Sequence, residues 1–262
     1  YACPALMEGA VAGGRQAAWY AVDERLEPRL EDLQSVRPGD AVVGIDYFGR
    51  PPGEDFQALA RSQPDVLWIE DRAQALAPGP AWGAVRLFSP RKLIGVGDGG
   101  LLVAETELPQ PSAPPSRTEA GAQAARAHDP EGLAPQTWFP AFQAQEAAFA
   151  VDAAAMSAQT TKVLRGCAAQ PLIDARRRNA GFLAAALADI ALWPEPPAWP
   201  PLAFPILVPD AAAFVQGMAA RGVFCARHWA DLPSPARFAQ AHDLSRRLVS
   251  LPCDHRYGEA DM

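Results

Sequence analysis

The chain has 262 residues, 23 Lys and Arg against 30 Asp and Glu, a formal charge of −7, and 49% hydrophobic residues. That length supplies a real core for one large domain or two smaller ones, and the acidic balance argues against a broad basic nucleic-acid surface. The longest apolar stretches are strand-sized, too short to span a bilayer, and no charged segment followed by an apolar one opens the chain as a secretory signal would. Cysteines 3, 167, 225 and 253 lie far apart without C-x-x-C spacing, which excludes a zinc site or disulfide framework and fits reduced thiols in a cytoplasm.

Tyr1-Ala-Cys-Pro4 reads like the interior of a fold, so further sequence is expected upstream. Ala41-Val-Val-Gly-Ile45 is a continuous apolar run, the pattern of a strand buried on both faces. Glu54 to Ser62 follows with Phe56, Leu59 and Ala60 on one helical face. Val66-Leu-Trp-Ile69 is a second buried strand, ending in the acidic pair Glu70-Asp71. Val85 to Phe88 and Leu101 to Ala104 are two more strands, separated by a loop holding Ser89, Lys92 and Gly95-Val-Gly-Asp-Gly-Gly100. This alternation, in units of roughly twenty to thirty residues, predicts an α/β sheet with helices on its faces.

Leu108 to Pro140 is rich in Pro, Ala, Ser and Gly and reads as a long surface excursion. Ala141 through Leu164 is Ala-rich and helix-permissive, and Leu172 to Leu192 predicts a helix with Ile173, Phe182, Leu183 and Leu187 on an apolar stripe. Trp193-Pro-Glu-Pro-Pro-Ala-Trp-Pro-Pro201 must be extended loop, whose two Trp are better explained by loop packing than by sugar stacking. A smaller α/β unit closes the chain: strand Phe204 to Val208, helix Ala211 to Arg221 stopped by Gly222, strand Val223 to Ala226, and a helix from about Ser234 to Leu248.

The chemistry concentrates in one stretch. Ligands of open α/β sheets bind beyond the carboxyl ends of strands, where Asp71 and Ser89 fall. A loop lysine beside other cations acts as a nucleophilic amine towards carbonyls when its proton is loosened; Lys92 follows Arg91. A carboxylate at the neighbouring strand end is the partner that a protonated pyridine nitrogen requires. Taken singly, each residue has an ordinary explanation: Asp71 a turn or cap, Lys92 a solvated charge, the glycines a tight turn lacking phosphate-loop spacing. Their ordered co-occurrence carries the inference.

Ile69-Glu-Asp-Arg-Ala-Gln74 followed by Phe88-Ser-Pro-Arg-Lys-Leu-Ile-Gly-Val-Gly-Asp-Gly-Gly100 resembles the DegT–DnrJ–StrS family of pyridoxal-phosphate-dependent aminotransferases. Gly222-Val-Phe-Cys-Ala-Arg-His-Trp229, Leu251-Pro-Cys-Asp-His-Arg-Tyr257 and Arg176-Arg-Arg-Asn179 add to the resemblance. It implies a fold-type I, aspartate aminotransferase-like α/β architecture with a mostly parallel sheet. The large cofactor-binding domain would span 1–165, with the excursion at about 106–140, and a small C-terminal α/β domain would span 166–262. It also implies a homodimer, pyridoxal 5′-phosphate as cofactor, an amino-acid donor and a keto-sugar acceptor, often nucleotide-linked. On this resemblance Lys92 forms an imine with the cofactor and shuttles protons, Asp71 pairs with the pyridinium nitrogen, Gln74 contacts the ring and Ser89 the phosphate. His228 and Tyr257 fall where relatives line the substrate pocket; His128 falls in the excursion.

Departures from the family pattern accompany these matches. Only Pro90-Arg91 separates Ser89 from Lys92, Arg72 replaces a usually small residue, and no Asn-Tyr-Arg segment occurs between 105 and 145. The N-terminal part of the family, with its Gly-Ser/Thr phosphate turn and ring-stacking aromatic, would precede Tyr1. Three readings follow: an aminotransferase, a family member doing other chemistry on the same cofactor, or a truncated or non-catalytic relative with a binding role. Lys92 speaks against the sugar dehydratases, which carry histidine at that position.

Overall fold

The computed structural model describes residues 1–76, 79–114, 125, 128–129, 133–147, 154–232 and 237–262. Helix α1 (Pro4–Ala12) leads to β1 (Ala41–Ile45), α2 (Glu54–Ser62), β2 (Leu67–Asp71), β3 (Val85–Phe88) and β4 (Leu101–Ala104). The strands lie side by side in the order β1-β2-β3-β4. β1, β2 and β3 are parallel, with Ile45 opposite Asp71 and Asp71 opposite Leu87, while β4 returns antiparallel with Leu101 opposite Phe88. The three carboxyl ends therefore align at one edge of the sheet. The second strand runs two residues past its apolar run, so the acidic pair Glu70-Asp71 ends it, as the sequence predicts.

A short core explains why α2 sits where it does. Phe56 and Ala60 of α2 pack with Leu33, Val42, Val66, Trp68 and Trp82. Gly44, in the middle of β1, leaves room for this cluster: a Cβ there would stand 2.6 Å from Trp82 Cη2 and 2.8 Å from Phe56 Cε1. Glu54 and Asp55 in the first turn and Arg61 in the last complement the helix dipole.

Beyond the excursion come α3 (Phe139–Ala147), α4 (Ala158–Gly166), α5 (Ala169–Ala186), β5 (Phe204–Leu207), α6 (Ala211–Ala219), α7 (Ala239–Arg247) and β6 (Leu248–Leu251). Much of the excursion, and Ser234, lie outside the described residues; His128 is described and exposed. The helix-permissive stretch 141–164 holds parts of two helices. The second is started by Ser157, whose side chain accepts a hydrogen bond from the Thr160 amide. α5 runs from 169 to 186, and a turn at 187–190 replaces the rest of the expected helix.

Two expectations near the C-terminus are corrected. Val223 to Ala226 is not a strand: after Gly222, at φ 82°, the segment touches β6 only through an isolated bridge between Ala226 and Ser250. The last helix starts at Ala239 and stops at Arg247, because Leu248-Val-Ser-Leu251 leaves it to form β6, antiparallel to β5 and buried throughout. A strand whose residues are all buried does not alternate, so its apolar run passed for the end of an amphipathic helix.

One core joins the early and late parts of the chain. Tyr47 and Phe48, just beyond β1, pack with Leu192, Trp193, Leu244 and Leu248. Among the described residues, no helix is long and apolar enough to cross a membrane. Gly44→Ala should lower unfolding free energy by about 1–3 kcal/mol, the usual cost of overpacking, as read by urea denaturation; an unchanged midpoint would show that Trp82 swings aside freely.

Candidate active site

The edge formed by the three parallel strand ends carries a buried charge cluster. Asp46 follows β1, Glu70 and Asp71 end β2, and Arg72 follows; all four are buried. The Arg72 side chain pairs with Glu70 and lies 3.4 Å from Asp46 Oδ2, and its guanidinium donates to the carbonyls of Gly79 (3.2 Å) and Pro80 (2.5 Å). Its backbone amide donates to Leu87 in β3 (2.8 Å). Glu70 accepts from the Trp82 and Gly83 amides, both at 2.7 Å, and Trp82 Nε1 donates to Asp46 Oδ1 at 3.2 Å. Burial, with Glu70 and Asp71 nearby, pushes the Asp46 carboxyl up to about 7 against the opposing pull of Arg72 and Trp82. Sequence reasoning missed this cluster. Its one signal was that Asp46 follows an apolar run as the acidic pair follows the next.

Asp71 turns away from the cluster. Its Oδ1 accepts from the Ala73 amide at 2.9 Å, and Oδ2 takes no hydrogen bond among the described residues. Burial raises its pKa, while the Ala73 amide and the positive charge of Lys92 lower it. Lys92 closes a single 3-10 turn, Pro90–Lys92, that starts from Ser89, and its backbone amide donates to the Ser89 carbonyl at 3.1 Å. The Lys92 side chain is exposed and makes no hydrogen bond among the described residues; neither does the half-buried Ser89 hydroxyl.

Two further segments reach this edge. Gln74 Oε1 accepts from the Phe48 amide at 2.6 Å. That bond props Phe48 in the left-handed region, φ 56°, a strained conformation for an aromatic residue. The Phe48 ring meets His228 edge-on, 5.7 Å between centroids, and Trp229 at 5.4 Å; Trp229 is itself left-handed at φ 57°. His228 Nδ1 lies 2.7 Å from Ser250 Oγ. Burial lowers the His228 pKa to about 4, and the Lys92 charge adds to the effect.

The structure thus brings Asp71, Gln74, Ser89, Lys92 and His228 to one edge. Tyr257 stands apart: its carbonyl accepts from Asn179 Nδ2 of α5 at 2.9 Å, its ring lies under Arg256, and no contact joins it to Asp71, Lys92 or His228 among the described residues. Arg176 and Asn179 serve packing: Arg176 donates to the Pro201 and Leu202 carbonyls, Asn179 to the Asp254 carbonyl. The glycine loop has an internal task as well. Buried Asp98 accepts from the Ser157 amide and hydroxyl, both at 3.0 Å, and from the Thr160 hydroxyl. Gly99, at φ 93°, could not carry a Cβ without meeting Met156 Cβ at 2.9 Å. All four cysteines are free, and no group of residues that could hold a metal occurs among the described residues. A groove of about 270 Å³, bounded in part by Arg25, Leu192, Leu207 and Arg247, shares no residue with this edge.

No family model and no curated protein matches the sequence. Solved structures do. A DegT DnrJ EryC1 StrS aminotransferase from Brucella abortus superposes with a TM-score of 0.64 at 18% identity, covering 99% of this chain and 74% of that one. The Helicobacter pylori aminotransferase PseC, involved in pseudoaminic acid biosynthesis, gives 0.62 at 16% identity over 96% and 72%. Spr1654 of Streptococcus pneumoniae, in its PLP form, gives 0.63 at 11% over 96% and 73%. The chain has the fold of the DegT/DnrJ/EryC1/StrS aminotransferases.

That fold frames a test of fit for pyridoxal phosphate. A buried carboxyl with one oxygen unbonded suits a protonated ring nitrogen, an unbonded primary amine suits an aldehyde, and an unbonded hydroxyl suits a phosphate. The residues present fit the group.

Asp46 predicts a pH dependence of stability. Folded, it keeps its proton up to about pH 7; unfolded, it releases it near the ordinary carboxyl value of 3.8. The folded state binds more protons in that window, so the Asp46 contribution makes stability fall as pH rises through it. Asp71, shifted the same way, adds to the slope. Asp46→Asn should flatten the curve of urea stability against pH; an unchanged slope would mean that Asp46 is ionised throughout.

Proposed function

We propose that this chain is a pyridoxal-phosphate-dependent aminotransferase that moves an amino group from an amino-acid donor to a keto sugar. The supporting observation is that buried Asp71, one oxygen unbonded, and the unbonded amine of Lys92 follow from adjacent parallel-strand ends, close enough for the lysine charge to act on the carboxyl. The neighbouring solved structures include the sugar aminotransferase CalS13 from Micromonospora echinospora, which favours a keto sugar as acceptor. We further read the chain as a homodimer of the cytoplasm, with a cofactor-binding part over 1–165 and a smaller part over 166–262, the boundary falling at the end of α4.

Each residue takes a definite task in this reading. Lys92 would hold the cofactor through its amine and, once displaced by the donor, carry a proton from the donor's α-carbon as general base and return it as general acid. Asp71 would keep the ring nitrogen protonated, a role suited to a carboxylate held in a low-dielectric pocket. The bound cofactor supplies an electron sink for the pair left at the deprotonated carbon. The Ser89 hydroxyl would bond the phosphate and the Gln74 amide the ring, while Gln74 Oε1 keeps the Phe48 turn in place. His228 would face the substrate.

Incubation with pyridoxal phosphate should give a visible absorption band that Lys92→Ala abolishes together with turnover. Asp71→Asn should keep the band and lose about 10²- to 10³-fold in turnover, the scale of one preorganised electrostatic contact. A parent chain without the band would favour a non-catalytic role, and full activity in Asp71→Asn would remove that residue from the mechanism.

A further inference from the structure

The contact between His228 and Ser250 fixes more than position. A neutral imidazole carries its proton on one nitrogen only, and the other nitrogen accepts. His228 Nδ1 lies 2.7 Å from Ser250 Oγ, and either group could donate in that contact. The Ser250 side decides. Ser250 is 2% exposed, in the middle of β6, and its hydroxyl has no other partner among the described residues. If Nδ1–H donated to Oγ, the hydroxyl hydrogen would be left buried without an acceptor, and such groups are rare because the lost hydration is not recovered. If the hydroxyl donates to Nδ1, both groups are satisfied and the imidazole proton must sit on Nε2. No described residue bonds Nε2.

We propose that Ser250 is a positioning residue that locks His228 as the Nε2–H tautomer, so that His228 offers a neutral hydrogen-bond donor to a carboxylate oxygen of the amino donor. The ring cannot turn freely to present the other nitrogen. Phe48 stands edge-on against it at 5.7 Å, and Trp229 tilts against it at 5.5 Å. A partly buried N–H donor with no acceptor among the described residues bonds an anionic oxygen more strongly than a neutral one and turns a cation away. The ligand half of this inference rests on the aminotransferase reading; the tautomer half does not.

Long-range ¹H–¹⁵N correlation NMR of the cofactor-free chain tests both halves, with His228 assigned among four histidines by its loss in His228→Gln. The expected spectrum shows a protonated Nε2 and a bare Nδ1, and a mixed tautomer in Ser250→Ala. A protonated Nδ1 in the parent, or the same pattern in Ser250→Ala, overturns the tautomer. The parent spectrum settles it even where the variant folds poorly. Glutarate, a dicarboxylate probe that cannot transaminate, should then shift the Nε2 resonance and bind several-fold more weakly to Ser250→Ala. Glutarate binding that leaves Nε2 unmoved, or no binding at all, overturns the ligand half. Failure of the aminotransferase reading would show separately, as a missing visible band with the tautomer pattern intact.

Discussion

A single guanidinium holds the working edge of this protein together. Arg72 neutralises Glu70, leans on Asp46, caps two carbonyls of the returning loop and ties its own backbone to β3. It thereby fixes three strand ends against one another. Successive strand residues point to opposite faces, so Glu70 and Arg72 share the cluster while Asp71 between them faces the other way. The cluster is expensive to build, since two carboxyls and one guanidinium are taken from water, and removing one partner of such a buried pair costs about 3–5 kcal/mol. Asp46 meets the surplus of acid over base by holding its proton to about pH 7. The result is a rigid support in which Asp71 alone keeps a free oxygen.

Lys92 supplies the contrast. It is exposed and unbonded while its charge acts on two buried groups, Asp71 and His228. A cation that lowers the pKa of both, and touches neither through a hydrogen bond, is held near its partners by the chain and not by pairing. The tight Ser89-to-Lys92 turn does this: with only Pro90 and Arg91 between them, the lysine cannot leave the end of β3. Proline at the first position of the turn presets its backbone, so a short spacer serves where a longer one would need other restraints.

The first sheet was legible in the sequence because its information is local. Each of β1 to β4 is an apolar run bounded by turn residues, and α2 carries a clear stripe with acidic and basic ends. Asp71, Ser89 and Lys92 were legible for the same reason, since strand ends mark where ligands bind. The roles that escaped detection depend on partners distant in sequence. Asp46 and Trp82 meet across 36 residues, Asp98 and Thr160 across 62, and Gln74 serves the Phe48 amide across 26. Arg72 was visible as a departure from the family pattern, but not the loop that folds over it. β6 was hidden for a different reason: a short strand buried on every side has no period, and it directly follows a helix.

The site also needs both sheets. His228 lies within range of the Lys92 charge, two residues past the bridge from Ala226 to Ser250 of β6, and β6 is placed by its pairing with β5. Phe48, beyond β1, shares a core with Leu244 of α7 and Leu248 of β6. Its strained backbone is propped by Gln74 from the end of β2. A chain of contacts thus runs from the Asp71 strand through Gln74 and Phe48 to His228 and Ser250. Loosening β6 would act first on the imidazole, because both its Ser250 partner and the Ala226 bridge belong to that strand.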